Sequence, residues 1–126
     1  MIYGIGVDLV RVARIARVVE RYGDRFLSRV FTAREIAYCR GKTWAVAALA
    51  MRFAAKEAFS KALGVGLRRD GIRWREVEVI PNPMGKPELY VSGRAAQLCE
   101  TAGIANMHLT LTDEDAHALA VVILER

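Results

Sequence analysis

The sequence predicts an α+β fold, a small antiparallel or mixed sheet packed on one long helix with shorter helices around it. Three observations carry this expectation. Residues 2–10 are apolar and β-branched, with Gly4, Gly6 and Asp8 at alternate positions, as suits a strand. Residues 44–63 are alanine-rich and run into Gly64, the pattern of a long helix with a left-handed stop. From residue 74 onward, strand-like runs alternate with one helical segment. Of the 126 residues 53% are hydrophobic and 26% charged, the balance of a folded chain with one core, so a single domain over 1–126 is expected.

In the first strand, alternation puts Tyr3, Ile5, Val7 and Leu9 on one face and Gly4, Gly6 and Asp8 on the other. Glycines there mark close approach by a helix or a ligand, and an acidic side chain on the same face favours a site. Residues 11–22 read as an amphipathic helix. Val12, Ile15, Val19 and Tyr22 form its apolar stripe, opposite Arg11, Arg14, Arg17 and Arg21. Arg25 and Arg29 extend the positive region past Gly23, balanced only by Glu20 and Asp24. Phe26, set among these arginines, suits either the core or the anchoring of an acidic partner. The spacing of Thr32 and Glu35 is that of a capping box, which starts a short helix through about Arg40. Residues 41–43 then form a loop.

At 100° per residue, Glu57 of the long helix lies beside Ala50, Phe53 and Ala54, away from the arc of Arg52, Lys56 and Ser60. A carboxylate on a small apolar surface needs a cation. Lys61, one turn on, supplies one as an ordinary i,i+4 pair, alone or together with a metal ion. Residues 65–71, with Arg68 and Arg69, form a basic loop suited to phosphate contact, although the GxxxxGK[ST] pattern of a P-loop is missing. Residues 74–80 alternate as a strand, 81–87 are a turn rich in breakers, and 88–92 are a second short strand. Residues 93–101 are helical with Gly103 just beyond, and 107–112 and 118–125 close the fold around the polar turn 113–115.

Asp8 and Glu57 thus occupy small-residue surfaces of two elements that should pack together. Two carboxylates with waters and substrate phosphates are a common magnesium environment. Lys61 would lie close enough to neutralise a phosphate oxygen, an arrangement suited to reaction at phosphorus.

The segments Gly4-Ile-Gly-Val-Asp8 and Phe53-Ala-Ala-Lys-Glu-Ala-Phe-Ser-Lys61 resemble the two signature motifs of the phosphopantetheinyl transferases. The short length, the Gly85-Lys-Pro87 turn and His108-Leu-Thr-Leu-Thr112 are similar to the holo-acyl-carrier-protein synthase branch of that family. The resemblance spans essentially the whole chain and implies the 4′-phosphopantetheinyl transferase fold. It implies magnesium-dependent transfer of the 4′-phosphopantetheine arm of coenzyme A, the co-substrate, to a serine of apo acyl carrier protein, with adenosine 3′,5′-bisphosphate as the other product. Carried over by position, Asp8 and Glu57 hold magnesium, and Asp8, Glu57 and Lys61 form the catalytic group. The acceptor of the serine proton is either a water on the metal or a nearby carboxylate, Glu57 being the favoured one. Coenzyme A contacts fall on Arg52, Ser60, Lys61, Gly64, Gly85, Lys86, Pro87, His108 and Thr112, in clefts between the subunits of a compact homotrimer. His117 matches no family site and reads as structural.

The net charge of +5 calls for an anionic partner. The resemblance makes that partner the acidic carrier, docked on Arg14, Arg21, Arg25 and Phe26. Asp24 departs from a purely basic docking patch, and the turn at 112–115 is more acidic than the family's histidine-bearing versions. Nucleic acid is disfavoured, because the aromatics are scattered and no groove-reading motif is present. A scaffold with an internal Glu57–Lys61 pair is the other competitor. Cys39 and Cys99 are isolated, no apolar run reaches spanning length, and no signal peptide is evident, so a cytoplasmic protein off the membrane is expected.

Overall fold

The computed structural model describes residues 1–67 and 70–126. Arg68 and Arg69, and with them the proposed phosphate contact of that loop, lie outside the described residues. Strand β1 (Ile2–Arg11) leads into α1 (Val12–Tyr22), α2 (Asp24–Val30), α3 (Ala33–Arg40) and the long α4 (Ala45–Leu63). The hairpin β2 (Val77–Pro81) and β3 (Pro87–Val91), α5 (Gly93–Ala102), and the hairpin β4 (Asn106–Glu114) and β5 (His117–Glu125) complete the order.

The architecture is α+β, with two antiparallel sheets where the sequence suggested one. The larger has the order β1-β5-β4, and β2-β3 stands as a separate pair. Helix α4 packs across the larger sheet, against β1 and β5. Its sequence explains this position, since it is apolar on nearly every side and its alanines permit close approach. On β5, Ala118, Ala120, Val122 and Leu124 point to the helix and are fully buried. On β1 that inner face carries Gly4, Gly6 and Asp8. A Cβ at Gly6 would overlap the Ala58 carbonyl oxygen and stand 2.8 Å from the Ala62 amide nitrogen, so strand and helix touch backbone to backbone. The glycines are therefore explained by helix packing, and the same approach brings Asp8 against α4.

The opposite face of β1 is apolar and open. Tyr3, Ile5, Val7 and Leu9 are all exposed, Ile5 and Leu9 at 61% each. In register Ile5, Val7 and Leu9 lie beside Ile123, Val121 and Leu119 of β5.

Two local elements differ from the sequence expectation. Residues 24–30 form α2, a helix too short to show periodicity, started where Gly23 turns at φ +53° and held by the buried Leu27 and Val30. Residues 74–76 coil into a 3-10 turn, and only from Val77 does the chain extend. The expected capping box is present at α3, with the Thr32 hydroxyl and the Glu35 carboxylate each accepting from the other's amide. Helix α4 stops at Gly64 in the left-handed region, φ +82°. No helix among the described residues is long and apolar enough to cross a membrane.

Candidate active site

The close β1–α4 contact sets Asp8 beside the outer side of α4, where Glu57 and Lys61 project one turn apart. The Lys61 ammonium donates to Asp8 Oδ1 at 3.1 Å and to the Val7 carbonyl at 3.0 Å. Lys61 thus serves the strand carboxylate and forms no ion pair with Glu57. The Glu57 carboxylate has no hydrogen-bond partner among the described residues. Burial pushes its pKa up from the usual value, the nearby Asp8 charge adds to the rise, and Lys61 and Arg14 act the other way. Two carboxylates therefore converge where a single lysine is engaged with one of them.

This arrangement suits a divalent cation. Among the described residues no cluster of three or more His, Cys, Asp or Glu side chains forms. The chain offers two carboxylates, Asp8 and Glu57, and magnesium is commonly held by one or two carboxylates with water and phosphate oxygens. The scaffold reading predicts a self-sufficient Glu57–Lys61 pair, and that pair is not formed. Ser60, on the same helix, is buried and donates its hydroxyl to the Glu57 carbonyl at 2.7 Å, while Gly64 is exposed at the helix stop.

A second group forms on the other side of α4. Arg52 precedes Lys61 by nine residues, about 180° around the helix. Arg52, Gly85, Pro87 and Thr112 line one cavity of about 310 Å³ together with Tyr38. Gly85 turns at φ +90° within the β2–β3 connection, whose shape is held by Asn82 accepting the amides of Met84 and Lys86. The Arg52 side chain is 3% exposed and donates to the Ala48 carbonyl at 3.2 Å, with its guanidinium 4.4 Å from the Tyr38 ring centroid. Its Nε is buried without a partner among the described residues, which is costly unless a ligand or water completes it. An adjoining cavity of about 410 Å³ adds Lys42, whose ammonium also sits over Tyr38, at 4.6 Å.

Tyr38 and Lys42 were not singled out from the sequence. The one available signal was an aromatic and a lysine four residues apart at the Gly41 loop. Lys86, Pro87 and His108 line a third cavity of about 250 Å³, and the His108 ring contacts the Glu125 carboxylate at 2.5 Å. His117 is exposed at the start of β5.

Arg14 and Arg21 are exposed on α1, and Arg25 is exposed on α2. Phe26 is half-buried against Phe31 in an edge contact, so it serves the core as well as the surface. Asp24 faces Arg40 at 3.4 Å, and the neighbouring Arg25 has no acid partner among the described residues. Arg14 reaches over the Phe53 ring of α4 at 5.7 Å, joining the basic helix to the carboxylate site.

Residues 4–122 match the sequence model of the 4′-phosphopantetheinyl transferase superfamily. A holo-[acyl-carrier-protein] synthase of Trichlorobacter lovleyi is 50% identical over 125 residues, covering 99% of this chain and 98% of its own length. That of Koribacter versatilis is 46% identical over 125 residues, with 99% of each chain covered. Among solved structures, the holo-[acyl-carrier-protein] synthase of Neisseria meningitidis superposes with a TM-score of 0.90 at 38% identity over 100% of both chains. The Helicobacter pylori enzyme in complex with coenzyme A gives 0.85 at 30% identity, over 96% of this chain and 99% of its own.

Proposed function

The chain belongs to the 4′-phosphopantetheinyl transferase superfamily, and from that premise we propose how its residues carry out the reaction. It is a holo-acyl-carrier-protein synthase, transferring 4′-phosphopantetheine from coenzyme A to a serine of apo acyl carrier protein. The serine oxygen attacks the pantetheine-side phosphorus, the bond to the bridging diphosphate oxygen breaks, and adenosine 3′,5′-bisphosphate leaves. The observation that carries the assignment of roles is the convergence of Asp8 and Glu57, with Lys61 bonded to Asp8.

Asp8 and Glu57 hold magnesium, which when bound supplies charge neutralisation on the diphosphate oxygens. Lys61 orients Asp8, and its half-exposed ammonium has a donor left for a phosphate oxygen. Glu57 accepts the serine proton. Without the metal, burial and the Asp8 charge hold its pKa above the usual glutamate value, the direction that strengthens a base. Arg52, with its partnerless Nε, binds a phosphate of coenzyme A beside the Gly85–Pro87 turn. Replacing Arg52 by Met should raise KM for coenzyme A about 10- to 100-fold, the worth of a charge-assisted hydrogen bond, with Arg52→Lys in between. Initial rates at varied coenzyme A decide this, and a KM within twofold of the parent value would remove Arg52 from the site.

The two groups lie on opposite sides of α4, which supports a site completed by two copies of the chain in a homotrimer. The open apolar face of β1 and β5 is the surface we assign to that assembly, because exposed apolar patches of this kind mark interfaces. Ile5→Glu and Leu9→Glu should yield monomers by light scattering, with turnover lost in parallel. Trimers from both variants would show that another face is used. The carrier, an acidic protein rather than nucleic acid, docks on Arg14, Arg21, Arg25 and Phe26. The compartment is the cytoplasm, where free thiols such as the buried Cys39 and Cys99 persist.

The test incubates the protein with coenzyme A, magnesium and an apo acyl carrier protein, and reads the carrier's intact mass. Gain of one phosphopantetheine is expected. No gain under conditions where a reference transferase modifies the same carrier would overturn the reading.

A further inference from the structure

A groove of about 570 Å³ runs between α2, the 3-10 turn at 74–76 and the start of α5. Its lining includes Arg29, Arg73 and Arg75, with the Trp74 indole and the Ser92 hydroxyl between them. All three arginines are exposed, and none has a carboxylate within 4.0 Å among the described residues. Glu76 is the one acid in the lining; its Oε1 accepts the Arg73 backbone amide at 3.2 Å, and it forms no ion pair with the three arginines. Three guanidinium groups around a concavity thus face a single carboxylate and form no ion pair among the described residues, and the net positive surface fits a partner that brings several carboxylates.

The groove connects with the basic docking face on two sides. Arg29 follows Arg25 by four residues on α2, one turn along the same side of that helix. Trp74 stacks on Phe53 with ring centroids 5.0 Å apart and an interplanar angle of 21°, and Arg14 covers Phe53. The line from Arg14 through Phe53 and Trp74 thus ends between Arg73 and Arg75.

We propose that the Arg29–Arg73–Arg75 groove is a second docking surface for the acyl carrier protein, taking an acidic segment of the carrier separate from the one held by α1. This rests on the carrier assignment above and adds to it. A carrier with carboxylates at both places is held in one register. A carrier with only the first is captured more slowly and released sooner. Arg73 and Arg75 then discriminate between carriers, while the carboxylate site itself is indifferent to them. Such rim charges act mainly on association rate and salt dependence.

The experiment measures transfer kinetics for Arg75→Gln and for the Arg73→Gln/Arg75→Gln pair, each with carrier and coenzyme A varied separately. The parent protein must first modify the carrier; if it does not, the proposed function has failed independently of the groove. With an active parent, KM for the carrier should rise about 5- to 10-fold in the double variant at low salt, two exposed ion pairs' worth. The rise should shrink at high salt, and KM for coenzyme A should stay at the parent value. Arg75→Glu should be partly rescued by a carrier with one acidic residue replaced by Lys. An unchanged KM for the carrier, or a raised KM for coenzyme A instead, would overturn the proposal, the second result pointing to a nucleotide in the groove.

Discussion

Asp8→Asn and Glu57→Gln are each expected to lower turnover by about 10²- to 10³-fold, the size of effect seen when one preorganised charge-stabilising group is removed. Both proteins should remain folded. The argument starts from Gly4 and Gly6, which let β1 meet the α4 backbone and so bring the two carboxylates together. Neither substitution disturbs that packing, because both side chains lie at the rim of the contact. Asp8→Asn keeps an acceptor for Lys61 but removes the charge facing Glu57. Glu57→Gln should raise thermal stability at neutral pH, because it removes a carboxylate whose ionised form is disfavoured by burial and by Asp8.

The pH dependence of that gain has a definite sign. The folded pKa of Glu57 lies above the unfolded value, so the folded state keeps the proton to higher pH. The group imposes no penalty below the unfolded pKa, and the penalty grows as pH rises through the folded one. The Tm difference between Glu57→Gln and the parent should therefore widen from acidic to neutral pH and then level off. Added magnesium should raise the Tm of the parent protein and not that of either variant. Turnover within threefold of the parent in both variants, read by intact mass of the carrier, would dismiss the carboxylate pair as the reacting centre.

The parts of the fold that were legible in the sequence follow from local rules. The alternation in residues 2–10, the run from Trp44 to Leu63 with its stop at Gly64, and the capping box at Thr32 each depend on neighbours within a few positions, and each element formed, the long helix starting at Ala45. Asp8 and Glu57 were legible as a pair because both sit on small-residue surfaces of elements that must pack. The Lys61 partner was not, since one turn along the helix Glu57 looks equally available. It is the strand, 53 residues away, that provides Asp8 and the Val7 carbonyl. Periodicity also set Arg52, Lys56 and Ser60 apart as a polar arc. In the fold that arc is buried, with relative exposures of 3%, 0% and 5%. Arg52 and Ser60 donate to carbonyls of α4 itself, whereas the partners of Lys56 come from α3, the 3-10 turn and β2, and no spacing within α4 announces those.

Lys56 is the largest of these hidden features, and replacing it with Ala should destabilise the protein by about 3–5 kcal/mol, the cost of leaving one member of a buried ion pair alone. The ammonium is fully buried, 2.9 Å from Glu35 Oε1, 3.2 Å from the Trp74 carbonyl and 2.5 Å from the Val77 carbonyl, so all three donors are used. Glu35 Oε1 also accepts the Thr32 amide, and Oε2 accepts the Val79 amide, each at 2.9 Å. One ion pair thereby fastens the α3 cap, the middle of α4 and strand β2. Burial lowers the Lys56 pKa and the Glu35 charge works against that fall. Removing the lysine strands a carboxylate with no route to water and frees two carbonyls, which is why the expected loss exceeds that of an ordinary core truncation of the same size. Lys56→Met combined with Glu35→Gln should recover part of the stability, since Gln keeps an acceptor for a strand amide while the unpaired charge is gone. Urea unfolding of the three proteins gives the order parent, double variant, Lys56→Ala. A loss below about 1 kcal/mol in Lys56→Ala would mean that water reaches Glu35 in the folded state, and that packing alone holds α4 to β2.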